Sequence, residues 1–317
     1  MPSFCRHNRF IDRCPICSPQ PAAPPPRSAR TAARSAVAAG RHVAGAGRDG
    51  LRVRRERRAA DDGYRSTLIA GIRSSDDAQR LAGEIAFAAG RLALLAAEPP
   101  GLYATVATDE DVEQALWTAL LIAYLGPLED EQPFAAIESV VTDWHSGELP
   151  DLDGVALGPR TSHDPARGVA TLTAYRQWAG RAGSQLRAFT GDESWSPERR
   201  FDRVFERLTL PGFGRPGRYE LLTSVGALGR APLHAASLQL VGDDESVLGA
   251  KRVFGIGDRV NLERRALTLA EASEVPLAAL DVALCSFSSG ERVAGGVPDD
   301  IQDPGALERA QDVLGLT

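Results

Sequence analysis

The sequence predicts an all-α protein, and three observations carry that expectation. From about residue 63 onward, apolar residues recur at i, i+3 and i+4. Several of these stretches open on Ser, Thr or Asp followed by acids, as helix N-termini do. Alternating, strand-like runs are scarce, and ASLQLV at 236–241 is the only tempting one. The 317 residues, 43% of them apolar, can bury a sizeable core. No run of eighteen apolar residues occurs, and MPSFCRHNRF lacks the long apolar segment of a secretory signal. The expectation is a soluble, cytoplasmic protein in three parts: a knuckle at 1–18, a linker at 19–62 and a helical domain at 63–317.

The knuckle holds three of the four cysteines, and the fourth, Cys285, lies far away in an apolar stretch. That is not a disulfide framework; it suits a metal site in a reducing compartment. Cys14-Pro15-Ile16-Cys17 places two thiolates on one tight turn, and Cys5 and His7 complete four ligands for a structural zinc. Cys5-x-His7 is a close spacing for two ligands of one ion. A reduced tail or a redox pair is the alternative reading. So short a stretch has no apolar core, so the metal would supply its folding energy. The purified protein is expected to carry one equivalent of zinc, and metal analysis after mild preparation checks this.

The linker runs SPQPAAPPPRS and then TAARSAVAAGRHVAGAGRDG, with few large apolar residues, and is expected to stay disordered. LRVRRERR at 51–58 is its most basic part. Residues 1–60 hold thirteen Arg against Asp12, Asp49 and Glu56, a net of +10; with −6 for the whole chain, the remainder carries −16. A basic arm attracts phosphate backbones. The acidic body speaks against DNA binding at long range, although local arginine clusters decide contact. Lys251 is the only lysine, so a Schiff-base amine would have to be Lys251 or the N-terminus.

Within the helical part, the pattern predicts helices at 75–97 and at 108–125, the second with Thr108 as N-cap and ended by Gly126-Pro127. Further helices are expected at 133–144, 164–188, 196–208, 217–226, 244–253, 259–272 and 276–288.

The most informative stretch is FERLTLPGFGRPGRYELL at 205–222. One helix ends, Pro211, Gly212, Phe213 and Gly214 make a turn, and Pro216 opens a second helix, where its missing N–H costs nothing. Glycines permit positive φ and close backbone approach. The free N–H groups of a helix start bind phosphate, and Arg215 and Arg218 add charge. A helix-hairpin-helix holds a DNA backbone in this way without reading its sequence; an ordinary helical turn is the plainer alternative. Arg199 and Arg203, with Arg200 and Arg207, recur at three- and four-residue spacing just before it, either as a stripe toward DNA or as partners of Asp192, Glu198, Asp202 and Glu206.

LPGFG followed by a helix resembles the helix-hairpin-helix DNA glycosylases of the endonuclease III type. In that superfamily a lyase lysine follows the hairpin, and here Pro216 stands in its place. A catalytic aspartate comes roughly twenty residues later at a helix start, and Asp243 or Asp244, opening a helix that runs SVLGAKRVFG, is the candidate, later than expected through an insertion or a different register. The iron–sulfur loop of some members is missing. The knuckle FCRHNRFIDRCPIC, ALLIAYLGPLEDEQPF, GDESWSPERRFDRVFERLTLPGFGR and AKRVFGIGD with LDVAL resemble more closely the alpha-glutamyl/putrescinyl thymine pyrophosphorylase families, clade 3 in particular. The resemblance implies an enzyme acting on a flipped-out modified pyrimidine in DNA, by displacing pyrophosphate from the base, or, as an alternative, a monofunctional glycosylase excising hypermodified phage bases. A DNA-binding module without chemistry is a further alternative, as is an RNA- or protein-interaction factor with a merely structural hairpin.

Either reaction needs an extruded base. A carboxylate would stabilise a cationic sugar, and cations would hold a leaving phosphate. Asp243 and Asp244 fit the first role and Lys251, with Arg252, the second; a helix cap and a solvated helix face are the plain alternatives. Glu129, Asp130 and Glu131 are expected near the base, because the corresponding glycosylase turn enters the duplex. Trp117, Tyr124, Trp178 and Trp195 suit stacking or, more commonly, core packing. Asp281, among apolar residues, reads as a buried, partnered carboxylate or as a second pocket acid.

Overall fold

Residues 59–317 are described here from a computed structural model, and they belong to one compact unit. The candidate zinc ligands Cys5, His7, Cys14 and Cys17, and nearly all of the linker, lie outside the described residues. Twelve α-helices account for the regular structure among the described residues: α1 Ser75–Ala97, α2 Leu102–Thr108, α3 Val112–Leu125, α4 Ala135–Glu138, α5 Gly168–Ala182, α6 Gln185–Thr190, α7 Pro197–Arg207, α8 Arg215–Ala227, α9 Glu245–Phe254, α10 Arg259–Ala272, α11 Leu277–Ser289 and α12 Pro304–Leu314. The all-α expectation holds. Residues 236–241 form no strand; instead the Leu238 and Leu240 amides donate to the Glu263 carboxylate of α10, at 2.8 and 2.6 Å.

Side-chain caps explain most boundaries. Ser74, Ser184, Ser196, Asp244, Asp258 and Asp303 accept from first-turn amides of α1, α6, α7, α9, α10 and α12. Three sequence expectations are corrected. The N-cap of α3 is Asp111, which accepts from Glu113 and Gln114, while Thr108 ends the separate short helix α2. Residues 133–144 hold only the four-residue α4. The expected helix at 164–188 is two, because Gly183 turns left-handed at φ 90° and Ser184 caps a new start.

The chain packs as two halves. α1 carries an apolar stripe and lies against α11 and α12 from the far end of the chain, with α9 on the other side of α11. The middle elements form the second half, in which α3, buried almost throughout, lies against α8. Trp117, Tyr124 and Tyr175 are wholly buried there, so the core duty of Trp117 and Tyr124 is the observed one. α8 also touches α1, which places it at the seam between the halves. No described helix is long and apolar enough to cross a membrane.

Candidate functional site

The α7–α8 turn sits at the surface but is anchored from below. Phe213 is 2% exposed and meets Tyr124 edge-on, ring centroids 6.0 Å apart. Its amide donates to the Leu210 carbonyl at 3.2 Å. Thr171 of α5 donates to the Pro211 carbonyl. Gly212 has φ 73°, and a Cβ there would press on Arg167 and Thr171 at 3.3 and 3.2 Å, so both conformation and space ask for glycine. Pro211 and Gly214 are exposed, and the Gly212 and Gly214 amides have no acceptor among the described residues. The turn therefore offers backbone donors outward while Phe213 serves as its anchor rather than as a contact.

Arg215 departs from expectation. It is 4% exposed and turns inward, where it donates to the Asp281 carboxylate, to Asp244 at 3.3 Å, and to the carbonyls of Leu238 and Gln239. A guanidinium at the first residue of α8 finds the buried Asp281 and the part-buried Asp244 beneath it, and that pairing outweighs exposure. Its assignment to a phosphate cradle is corrected accordingly. Arg218 is half-buried over the Phe205 ring and donates to the Phe205 carbonyl at 2.9 Å. Arg203 pairs with Glu206 at 3.1 Å, and Arg199 lies 5.8 Å from the Trp195 ring.

Asp243, Asp244 and Lys251 are not gathered into one site. Asp244 caps α9 and pairs with Arg215, and burial raises its carboxyl although Arg215 opposes the shift. Asp243 is exposed, and Lys251 lies about two turns further along α9. Asp281 is the buried, partnered carboxylate of the two readings: 1% exposed, it accepts from Arg215 and from Arg160 at 3.3 Å.

What the structure does gather is a chain of ionisable groups along the seam, alternating in sign: Asp244, Arg215, Asp281, Arg160, Glu220 and Arg91. Glu220, five residues into α8 from Arg215, accepts from Arg91 of α1 at 2.6 Å and from Ser224 at 3.2 Å. Burial pushes the Glu220 carboxyl up, but Arg91 and Arg160 outweigh it and hold it below the ordinary glutamate range. Burial likewise pulls Arg160 down, yet Cys285, Glu220 and Asp281 leave it more firmly protonated than a free arginine. Tyr103, beside Arg91, is pushed up by burial to about 12 and stays neutral.

Arg91, Arg160 and Glu220 floor a small cavity of about 20 Å³, walled by Gly126, Pro127, Val293 and Gly295; that space suits a single water. The next residues of the same two segments, Leu128 to Glu131 and Gly296 to Asp299, line an open cleft of about 550 Å³, within the range of small-ligand sites. Glu129, Asp130 and Glu131 all line it. Glu129 ties the two segments together by accepting from the Ala294 and Gly295 amides, each at 3.2 Å. Neither Asp243, Asp244 nor Lys251 lines either space.

No protein-family model, curated protein or solved structure matches the chain. The functional reading therefore rests on its own residues. Sequence reasoning missed Arg91, Arg160 and Glu220. One signal was present: Arg91 interrupts IAFAAGRLALLAA, an apolar face that tolerates a charge only when it is partnered.

Proposed function

We propose that this protein binds DNA through a helix-hairpin-helix at 208–219 and processes a modified pyrimidine extruded into the seam cleft. The observation that carries the reading is that one helix serves both places. α8 follows directly on the exposed Gly214 and, a turn and a half later, brings Glu220 to the small cavity walled by Gly126, Pro127 and Gly295, whose neighbours in sequence line the cleft. A strand held on the hairpin amides would thus lie beside the space that receives its base.

The chemistry follows from the charges. Glu220 is held ionised, so it suits stabilisation of positive charge on the sugar rather than proton donation. In glycosidic cleavage the C1′–N bond breaks, the base leaves with the electron pair and takes a proton, and water adds to C1′. Arg160, whose remaining N–H groups have no acceptor among the described residues, suits a carbonyl oxygen of the base or a departing phosphate. In group transfer an amine would displace pyrophosphate from the base, with the same cation at the leaving group. Glu129, Asp130, Glu131 and Asp299 make the mouth acidic, which opposes entry of a pyrophosphate and counts toward glycosidic cleavage over group transfer.

Incubation with phage DNAs carrying different thymine and cytosine modifications, read by mass spectrometry, tests the reading: free base with abasic sites marks a glycosylase, and an altered base on intact sugar marks group transfer. Binding without either would leave the non-catalytic module, toward which the scattered positions of Asp243 and Lys251 point. For the hairpin, Gly212→Ala with Gly214→Ala is expected to weaken DNA binding about tenfold, or ~1.4 kcal/mol, whatever the sequence. Equal affinity at low salt would take the turn out of the interface.

A further inference from the structure

A second cationic feature lies outside the cleft. Arg181 in the last turn of α5, Arg187 in α6 and Arg207 at the end of α7 line a hollow of about 380 Å³ floored by Trp178, Ala182 and Ala188. All three arginines are exposed, no carboxylate lines the hollow, and none of the three has an ion-pair partner among the described residues. Their neighbours show how arginines in this region are otherwise satisfied: Arg203 pairs with Glu206, and Arg200 is buried on the carbonyls of Thr190, Pro232 and Asp192. The Arg207 guanidinium is held 5.4 Å from the Trp195 ring, and Trp195 itself packs on Gly191 at the rim. Three helices thus bring three unneutralised guanidinium groups to one concavity of a chain whose net charge is −6. Like charges gathered in this way disfavour one another unless an anion joins them, and guanidinium matches the phosphate fork bidentately.

The position says which phosphate. Thr171, on the first turn of α5, holds the hairpin through Pro211, and Arg181 lies ten residues further along the same helix. At 1.5 Å per residue this is roughly 15 Å. A duplex strand carries a regular row of phosphates, so a strand seated on the hairpin brings a phosphate a few nucleotides away within reach of the hollow. We infer that Arg181, Arg187 and Arg207 form a second phosphodiester grip on the strand that the hairpin holds. The identity of the strand rests on the proposed DNA reading; the phosphate chemistry does not.

The test uses the full chain with Arg181→Ala plus Arg187→Ala, two exposed positions whose loss spares the core. Binding of a short labelled duplex is followed by fluorescence anisotropy over a salt series, alongside titration calorimetry with inorganic phosphate. The basic arm contributes equally to both proteins, so their difference isolates the hollow. The expected result at about 50 mM salt is at least tenfold weaker binding, with a salt slope shallower by about two and an unchanged melting temperature. An unchanged affinity and slope would overturn the inference while leaving the hairpin reading standing. Inorganic phosphate bound by wild type alone, with equal DNA affinity in the two proteins, would make free phosphate the ligand and likewise overturn it. Absence of DNA binding by the wild type would instead end the DNA reading and with it the strand assignment; phosphate heat lost in the variant would then keep the hollow as a phosphate site, and no heat in either would remove it.

Discussion

Replacing Asp281 by Ala is expected to cost about 3–5 kcal/mol of folding stability, the typical result of removing one member of a buried ion pair. Asp281 is the node of the seam: it accepts from Arg215 on α8 and from Arg160 in the loop before α5, while its own helix, α11, packs on α1 and α9. Without it, two buried guanidinium groups lose a counter-charge. Arg215 keeps Asp244 and two carbonyls, but Arg160 keeps no other hydrogen bond among the described residues. Domains of this kind are held by only about 5–15 kcal/mol, so the loss takes a large share of the total, and a second variant keeps the test sharp. Arg215→Met with Asp281→Leu replaces the closest pair by apolar groups and is expected to recover the part of the loss that comes from Arg215, while Arg160 stays without its carboxylate. Urea unfolding of the three proteins reads both effects. An Asp281→Ala protein within about 1 kcal/mol of wild type would mean that water reaches the seam and solvates the arginines.

That node was half legible in the sequence. An aspartate inside PLAALDVALCSF announces a buried, partnered carboxylate, but nothing local announces its partner, since Arg215 lies 66 residues away. In GFGRPGR both arginines look equally outward; only the three-dimensional arrangement turns Arg215 in and leaves Arg218 half-exposed. The long helices were readable where periodicity and caps agreed, as in Ser75–Ala97 and Arg259–Ala272. Short elements were not: α2 and α4 hold too few turns to show a period, and α12 was passed over although Asp303 and Pro304 mark its start. The break at Gly183-Ser184 was visible as a C-terminal glycine followed by an N-cap, and the apolar period on both sides hid it. The segment Glu129–Glu131 was singled out through the glycosylase resemblance, whereas the small cavity beside the cleft joins α1, a loop and α8, which no window of sequence brings together.

Glu220→Gln is expected to lower base processing by about 10²–10³-fold while leaving DNA affinity within about twofold, because it removes one fixed charge from the small cavity beside the cleft and nothing from the hairpin. Mass-spectrometric turnover and anisotropy, run side by side, separate the two. A merely structural role is separated by pH. Glu220 titrates below its ordinary value of 4.5 in the folded protein, so its ionisation stabilises the native state above the unfolded value, and that stability is lost as pH falls through the folded one. Asp244 works in the opposite sense: burial raises its carboxyl, so protonation favours the fold and its contribution is lost as pH rises through the folded value. Glu220→Gln keeps the contribution of Asp244 and of every other carboxylate and loses that of Glu220 alone. Melting temperatures followed from neutral pH into the acid range should fall less steeply for the variant. If that slope changes as expected but turnover does not, Glu220 is a strut between Arg91 and Arg160 and the chemistry lies elsewhere in the cleft. If turnover collapses at a pH where both proteins are fully folded, the carboxylate acts on the bound base or its sugar.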